Sequence, residues 1–142
     1  MAELNGSDHF IELGDDHWRS MLEDVQRRYP EEACGLLGGR ANRVYIVAPV
    51  VNVLKSSFRY RMDPQEQLGV FQQFDVQGID VIGIYHSHPA GPSYPSKTDI
   101  EEAYYPEASY LIWSGLRGNW GFRAFRIMGG VYAEIQIRLI PD

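Results

Sequence analysis

Val81-Ile82-Gly83-Ile84-Tyr85 is the segment that most restricts what this chain can fold into. An unbroken apolar run with no polar alternation reads as a strand covered on both faces. Such a strand needs sheet neighbours and a packed layer above and below it. It runs straight into His86-Ser87-His88-Pro89, which holds two of the chain's four histidines. On extended backbone, side chains two apart share a face. His86 and His88 therefore aim at one point, and Ser87 faces away. Pro89, Gly91, Pro92 and Pro95 make the following stretch a loop, because proline cannot donate to a sheet ladder or sit inside a helix. Asp99 then stands eleven positions after His88. Two imidazoles and a returning carboxylate are the three protein ligands of a catalytic zinc site, whose fourth position is left for water.

Each piece has a plainer explanation when taken alone. Ser96-Lys97-Thr98-Asp99 is a capping box at a helix start, and histidines near a loop are often surface residues. The ordered conjunction carries the signal: strand, His-x-His-Pro, loop, Ser-x-x-Asp, with an acidic residue ahead of an earlier buried strand. That earlier strand is Glu31-Glu32-Ala33-Cys34-Gly35-Leu36-Leu37-Gly38-Gly39. On the residues alone, Glu31 and Glu32 read as a solvated pair at its mouth. Cys34 reads as a small core residue, with nothing basic near it in sequence.

The rest of the chain supplies the frame. Residues 1–8 read as a loose polar start, and Phe10–Leu13 as a short first strand. Trp18, Met21, Leu22, Val25 and Tyr29 recur at helical spacing, capped by Asp15 or Asp16 and stopped by Pro30. Arg43–Val51 is a strand. Ser56–Met62 alternates aromatic and basic residues, the pattern of an edge strand. Asp63-Pro64-Gln65-Glu66 opens a second helix, which Gly78 closes. A short helix from Lys97 to about Tyr105 and a strand over Ala108–Ser114 follow. Gly115–Asn119 is a turn. Trp120–Met128 and Val131–Ile140 form a hairpin joined at Gly129-Gly130. Long crossovers imply some parallel pairing, and the hairpin implies antiparallel pairing. The expected fold class is α/β (α+β): a mixed β-sheet with helices packed on its faces, in one domain over residues 1–142.

Composition excludes several function classes. A formal net charge of −6 argues against a general nucleic-acid binder, although Arg59, Arg61, Arg117, Arg123 and Arg126 are candidates for a local basic patch. One cysteine allows no intramolecular disulfide and favours a cytoplasmic home. Met1–Gly6 has neither the basic nor the apolar region of a secretory signal. No apolar run approaches membrane-spanning length. Nothing in the sequence signals an oligomeric state.

Glu32-Ala33-Cys34-Gly35, His86-Ser87-His88-Pro89 and Ser96-x-x-Asp99 stand in the order and spacing of the JAMM (JAB/MPN-type) zinc metallopeptidases, which the chain resembles over most of its length. The resemblance implies a cytidine-deaminase-like JAB/MPN fold. It implies one zinc ion per chain on His86, His88 and Asp99, with Glu32 as general acid/base and Ser96 steadying the oxyanion. The family's glutamate stands two before the cysteine, which selects Glu32 over Glu31. Among family members, the small prokaryotic enzymes that trim ubiquitin-like sulfur-carrier proteins after a Gly-Gly tail resemble this chain most. The expected partner is thus a ubiquitin-like carrier with a Gly-Gly end, seated near Phe58–Met62 and the Pro89–Pro95 loop. There is little room for the insertions with which eukaryotic isopeptidases grip a second ubiquitin. Other readings are a deubiquitinase-like isopeptidase, a catalytically silent scaffold of the same fold, and a DNA-associated relative of RadC type. Silent relatives usually lack a metal ligand, and none is missing here. A zinc deaminase would need His-x-Glu and Pro-Cys-x-x-Cys, neither of which is present.

Overall fold

A computed structural model describes residues 9–141. The polar start read over residues 1–8 lies outside the described residues. Seven strands and three α-helices follow in chain order: β1 (Phe10–Gly14), α1 (Asp15–Arg28), β2 (Cys34–Arg40), β3 (Arg43–Val50), α2 (Pro64–Gln77), β4 (Asp80–His88), α3 (Lys97–Glu101), β5 (Ser109–Ser114), β6 (Gly121–Met128) and β7 (Val131–Ile140). The order across the sheet is β1-β3-β2-β4-β5-β6-β7. β4 and β5 pair in parallel across the α3 crossover, and β2 pairs with β4 antiparallel. The mixed sheet expected from the sequence is present, with one addition. β1 runs parallel to β7 from Phe10↔Gln136 to Gly14↔Ile140 and meets β3 at Glu12↔Arg43, so the sheet closes on itself.

Alternation along the strands builds two cores. One holds Met21 and Val25 of α1 against Leu37, Tyr85, Leu111 and Trp113. The other holds Phe74 of α2 against Leu36, Ile84, Tyr110 and Ile112. β4 contributes to both because its two faces are covered, as its apolar run required. No helix among the described residues is long and apolar enough to cross a membrane.

Local chemistry explains the ends. Gly14, not Asp15 or Asp16, is the N-cap of α1; the His17 ring accepts the Gly14 N–H at 3.0 Å, and the two aspartates lie in the first turn instead. There they face the positive end of the helix dipole. Asp63 caps α2 without a side-chain bond, Pro64 takes the first helical position, and Gly78 ends the helix at φ +69°. α3 stops at Glu101, short of Tyr105, after a single capped turn. Ser56–Met62 is not an edge strand. Only Met62 pairs, through one antiparallel bridge to Asn52, and the rest is an irregular loop held by side-chain bonds from Asn52 and by backbone bonds at Ser56 and Arg61. Three of the five arginines are held by partners of their own: Arg123 by Glu134, Arg126 by the Pro106 carbonyl, and Arg59 by Glu102.

One polar network crosses the first core. Asp24, 3% exposed, accepts from the Tyr85 hydroxyl at 2.7 Å and from Arg28 Nε and Nη2 at 2.9 and 2.7 Å. Arg28 continues to the carbonyls of Val50 and Cys34 at 2.6 and 2.9 Å. A Cβ on Gly35 would collide with the Tyr85 ring, so glycine is what lets the ring pack against β2. Asp24→Ala strands a guanidinium and a phenol in the interior and is expected to cost about 3–5 kcal/mol. Urea unfolding of both proteins measures it, and a loss below about 1 kcal/mol would show the network to be incidental.

Candidate metal centre and active site

β4 runs through to His88, so both histidines are strand residues and point into the α2–α3 side of the sheet with Ile84. Asp99 returns on the first turn of α3, placed by a reciprocal cap. Asp99 N–H donates to Ser96 Oγ at 3.0 Å, and Ser96 N–H donates to Asp99 Oδ2 at 2.9 Å. The result is a triangle of ligand atoms. His86 Nε2 lies 3.0 Å from His88 Nε2 and 3.1 Å from Asp99 Oδ2, and His88 Nε2 lies 3.0 Å from Asp99 Oδ2.

The protonation of this triangle is readable. His88 Nδ1 sits 2.7 Å from the Pro92 carbonyl oxygen. A carbonyl only accepts, so Nδ1 carries the proton and Nε2 of a neutral His88 is a lone pair facing the Asp99 oxygen. Two acceptors at that distance repel unless a proton or a cation lies between them. A tetrahedral ion with bonds of about 2.0–2.1 Å holds its ligand atoms about 3.3 Å apart, close to the edges seen here. Among the described residues this is the one group of three or more histidine, cysteine or acidic side chains able to hold a metal ion. Burial keeps His86 below its ordinary pKa against the pull of Asp99. For Asp99, burial pushes upward, but His86 and His88, when a proton stands between them and Oδ2, and the Ser96 N–H hold it well below the usual carboxylate range, so it is as an anion facing a cation that the carboxylate is settled here. A neutral imidazole and an ionised carboxylate are the ligand forms of these groups.

Glu32 is not solvated. It is 3% exposed, and burial lifts its carboxyl to about 8, with His88 pulling it down and Asp99 pushing it up. Glu31 stays half-buried. Glu32, Phe58, His88, Pro92 and Ser96 line one cleft of about 360 Å³. A larger cavity of about 540 Å³, lined by His9, Phe71 and Arg126, contains none of these groups; chemistry rather than size marks the site. Ser96 Oγ spends one lone pair on the cap, and its O–H proton stays free to donate into the cleft. Cys34 is fully buried, donates to the Val50 carbonyl at 3.3 Å, and its thiol is pushed up to about 12 by burial. It is a core residue, as read from the sequence. Of the two segments expected to line a substrate groove, Phe58 and Pro89–Pro92 line this cleft. Tyr60 and Met62 do not: Met62 is in the second core, and Tyr60 stacks on the His86 ring at 4.6 Å.

Two contributors escaped the sequence reading. Tyr60 packs against an imidazole whose Nδ1 has no partner among the described residues. Asn52 donates to the Glu32 carbonyl at 3.0 Å from the end of β3. Its only sequence signal was an asparagine between Val50-Val51 and Val53-Leu54 with no glycine or proline to make a turn.

Residues 14–128 match the family described as prokaryotic homologs of the JAB domain. The CysO-cysteine peptidase of Mycobacterium tuberculosis is 32% identical over 146 residues, covering 100% of this chain and 99% of that protein. A probable TtuB-protein conjugate cleaving protease of Thermus thermophilus is 37% identical over 117 residues, covering 79% of this chain and 75% of that protein. The solution structure of a protein from Desulfitobacterium hafniense superposes with a TM-score of 0.84 at 35% identity, covering 93% of this chain and 94% of that one.

Asp99→Ala removes one corner of the triangle while leaving both imidazoles in their strand. Zinc affinity, read by competition with a chromophoric chelator, is expected to fall by more than about 100-fold. Unchanged affinity would mean that another group completes the site.

Proposed function

The chain belongs to the family of prokaryotic homologs of the JAB domain, and from that premise we propose that residues 1–142 are one zinc-dependent peptidase domain that hydrolyses a peptide or isopeptide bond after the C-terminal Gly-Gly of a ubiquitin-like, sulfur-carrier-type protein. The observation that carries this reading is the convergence of His86, His88 and Asp99 on one point, with Glu32 and Ser96 lining the same cleft. The names of the two relatives, a CysO-cysteine peptidase and a protein-conjugate cleaving protease, support a protein substrate cut at a junction. A cytoplasmic home fits the single, free, buried Cys34.

His86, His88 and Asp99 are the proposed zinc ligands. A zinc ion there supplies a Lewis acid and lowers the pKa of its water to about 7. Glu32 takes the proton of the attacking water and delivers it to the leaving amine, the role of a general base that becomes a general acid. Its raised pKa suits this exchange, and a nearby dication would draw the value down toward neutrality. Ser96 donates its hydroxyl proton to the carbonyl oxygen as charge gathers there. A Gly-Gly tail has no side chains, so it fits a cleft walled by Phe58 and the prolines and is gripped through its backbone.

Mass spectrometry of a Gly-Gly-tailed carrier fusion, before and after incubation with zinc-loaded protein, tests the reading directly. Cleavage after the second glycine, blocked by a chelator, is expected; an intact fusion would remove the assignment. Glu32→Gln should keep its zinc and lower kcat by about 10²–10⁴-fold. Ser96→Ala, which also loses the cap bond from the Asp99 N–H, is assayed at saturating zinc and should lower kcat by about 10²–10³-fold with little change in KM. Activity of either variant at the wild-type level would take that residue out of the mechanism.

A further inference from the structure

Asn52 is a buried polar residue, 2% exposed, that the mechanism above leaves unused. Every hydrogen-bonding position of its carboxamide is occupied. Nδ2 donates to the Glu32 and Arg59 carbonyls, each at 3.0 Å, and Oδ1 accepts from the Leu54 and Arg61 N–H groups, each at 3.1 Å. A primary amide offers two donors and two lone pairs, so this network admits one orientation of the side chain and satisfies it completely.

The partners fall into two groups. Leu54, Arg59 and Arg61 belong to the loop between β3 and α2, whose base is also closed by Val53 N–H to the Arg61 carbonyl at 2.9 Å. Glu32 belongs to the approach to β2. The Glu32 N–H also ends on this loop, donating to the Ser56 carbonyl at 2.8 Å. Both backbone polar groups of Glu32 are therefore held by the segment from Asn52 to Ser56. That same loop places Tyr60 on the His86 ring and exposes Phe58, 83% accessible, at the cleft wall.

We propose that Asn52 is a positioning residue that joins the cleft-lining loop and the Glu32 segment into one mechanical unit, so that substrate seated against Phe58 sets the place of the Glu32 carboxylate. The proposal rests on the reading of Glu32 as the proton carrier. A plain structural staple would lower stability and leave the activity of each folded, zinc-loaded molecule unchanged.

Asn52→Asp separates the two groups of bonds. It keeps both acceptor positions for Leu54 and Arg61 and loses the donors to Glu32 and Arg59. Asn52→Leu, which brings no charge, is measured beside it: an equal fall in kcat in both assigns the loss to the missing donors, and wild-type kcat in Asn52→Leu would overturn the proposal. Zinc content per chain, kcat and KM are measured with the carrier fusion. The expected result is wild-type zinc content, KM within a few-fold, and kcat lower by about 10²-fold, the usual cost of a small misplacement. In Glu32→Gln/Asn52→Asp the second change should cost nothing further, because both act through one group. Wild-type kcat in Asn52→Asp, or losses that multiply in the double variant, would overturn the proposal. A second measurement needs neither turnover nor a folded variant: amide exchange in the wild-type protein. Glu32, Leu54 and Arg61 amides are expected to open together with one protection factor. Fast exchange at Leu54 and Arg61 with Glu32 still protected would sink the coupling. A wild-type protein that fails to cut the fusion counts against the peptidase reading, and the exchange measurement then decides the coupling by itself.

Discussion

Two hydrogen bonds between Ala33 and Ser87 set the geometry on which the site depends. Ala33 N–H donates to Ser87 Oγ at 2.8 Å, and Ser87 N–H donates to the Ala33 carbonyl at 3.0 Å. They fix the entry of β2 beside β4 with Cys34 opposite His86, and so bring Glu32 to the end of the sheet where the histidines stand. A slip of one residue would turn His86 and His88 toward Met21 and Val25 and turn Tyr85 and Ser87 toward the cleft. Imidazoles buried there would lack partners, a cost of a few kcal/mol each. Ser87 is therefore more than a spacer between two histidines. Facing away from them, it ties the strand that carries them to the segment that carries Glu32.

The same burial acts on two carboxylates in opposite ways. Glu32 is desolvated, and no donor reaches its carboxylate among the described residues, so its proton is held to about 8. Asp99 is desolvated too, but two imidazoles and the Ser96 N–H converge on Oδ2, and it stays ionised. Pairs of carboxylates driven apart by their surroundings are how one fold runs acid and base chemistry at one pH. The divergence comes from backbone placement. A capped helical turn presents Asp99 to the histidines, and the approach to β2 leaves Glu32 buried beside them with no hydrogen-bond donor on its carboxylate among the described residues.

What was legible in the sequence was short-range. Period-two alternation told that His86 and His88 share a face, Pro64 and Gly78 marked the two ends of α2, and Gly129-Gly130 marked the last hairpin, because each rule acts within a few residues. The triangle of ligand atoms was legible through a pattern of residue types in order. The contacts that escaped are set by distant partners. Asn52 meets Glu32 across 20 positions, and β1 closes the sheet on β7 from the far end of the chain. Ser56–Met62 misled because its alternation has two causes. Tyr60 faces inward to stack on a histidine and Met62 faces inward to the core, while Phe58 stays in solvent. Period two by itself does not distinguish a sheet edge from a loop pinned at alternate residues.

β4 also divides labour between its faces. Tyr85 and Ser87 look toward α1, where the Asp24–Arg28 network and the Ala33 tie hold the strands in place. His86 and His88 look toward α2 and α3, where the chemistry is assembled. Arg28 connects the two faces through backbone alone, by binding the carbonyls of Cys34 and Val50 on either side of the β2–β3 pairing. An ion pair buried on the first face therefore orders the backbone from which the second face is built, without placing a charge in the cleft. A cleft that keeps one carboxylate protonated and another ionised is sensitive to any added charge nearby. Setting the anchoring charges on the opposite side of the sheet lets the fold be rigid at the site while the electrostatics there are decided by Glu32, Asp99, the two imidazoles and the ion they would share.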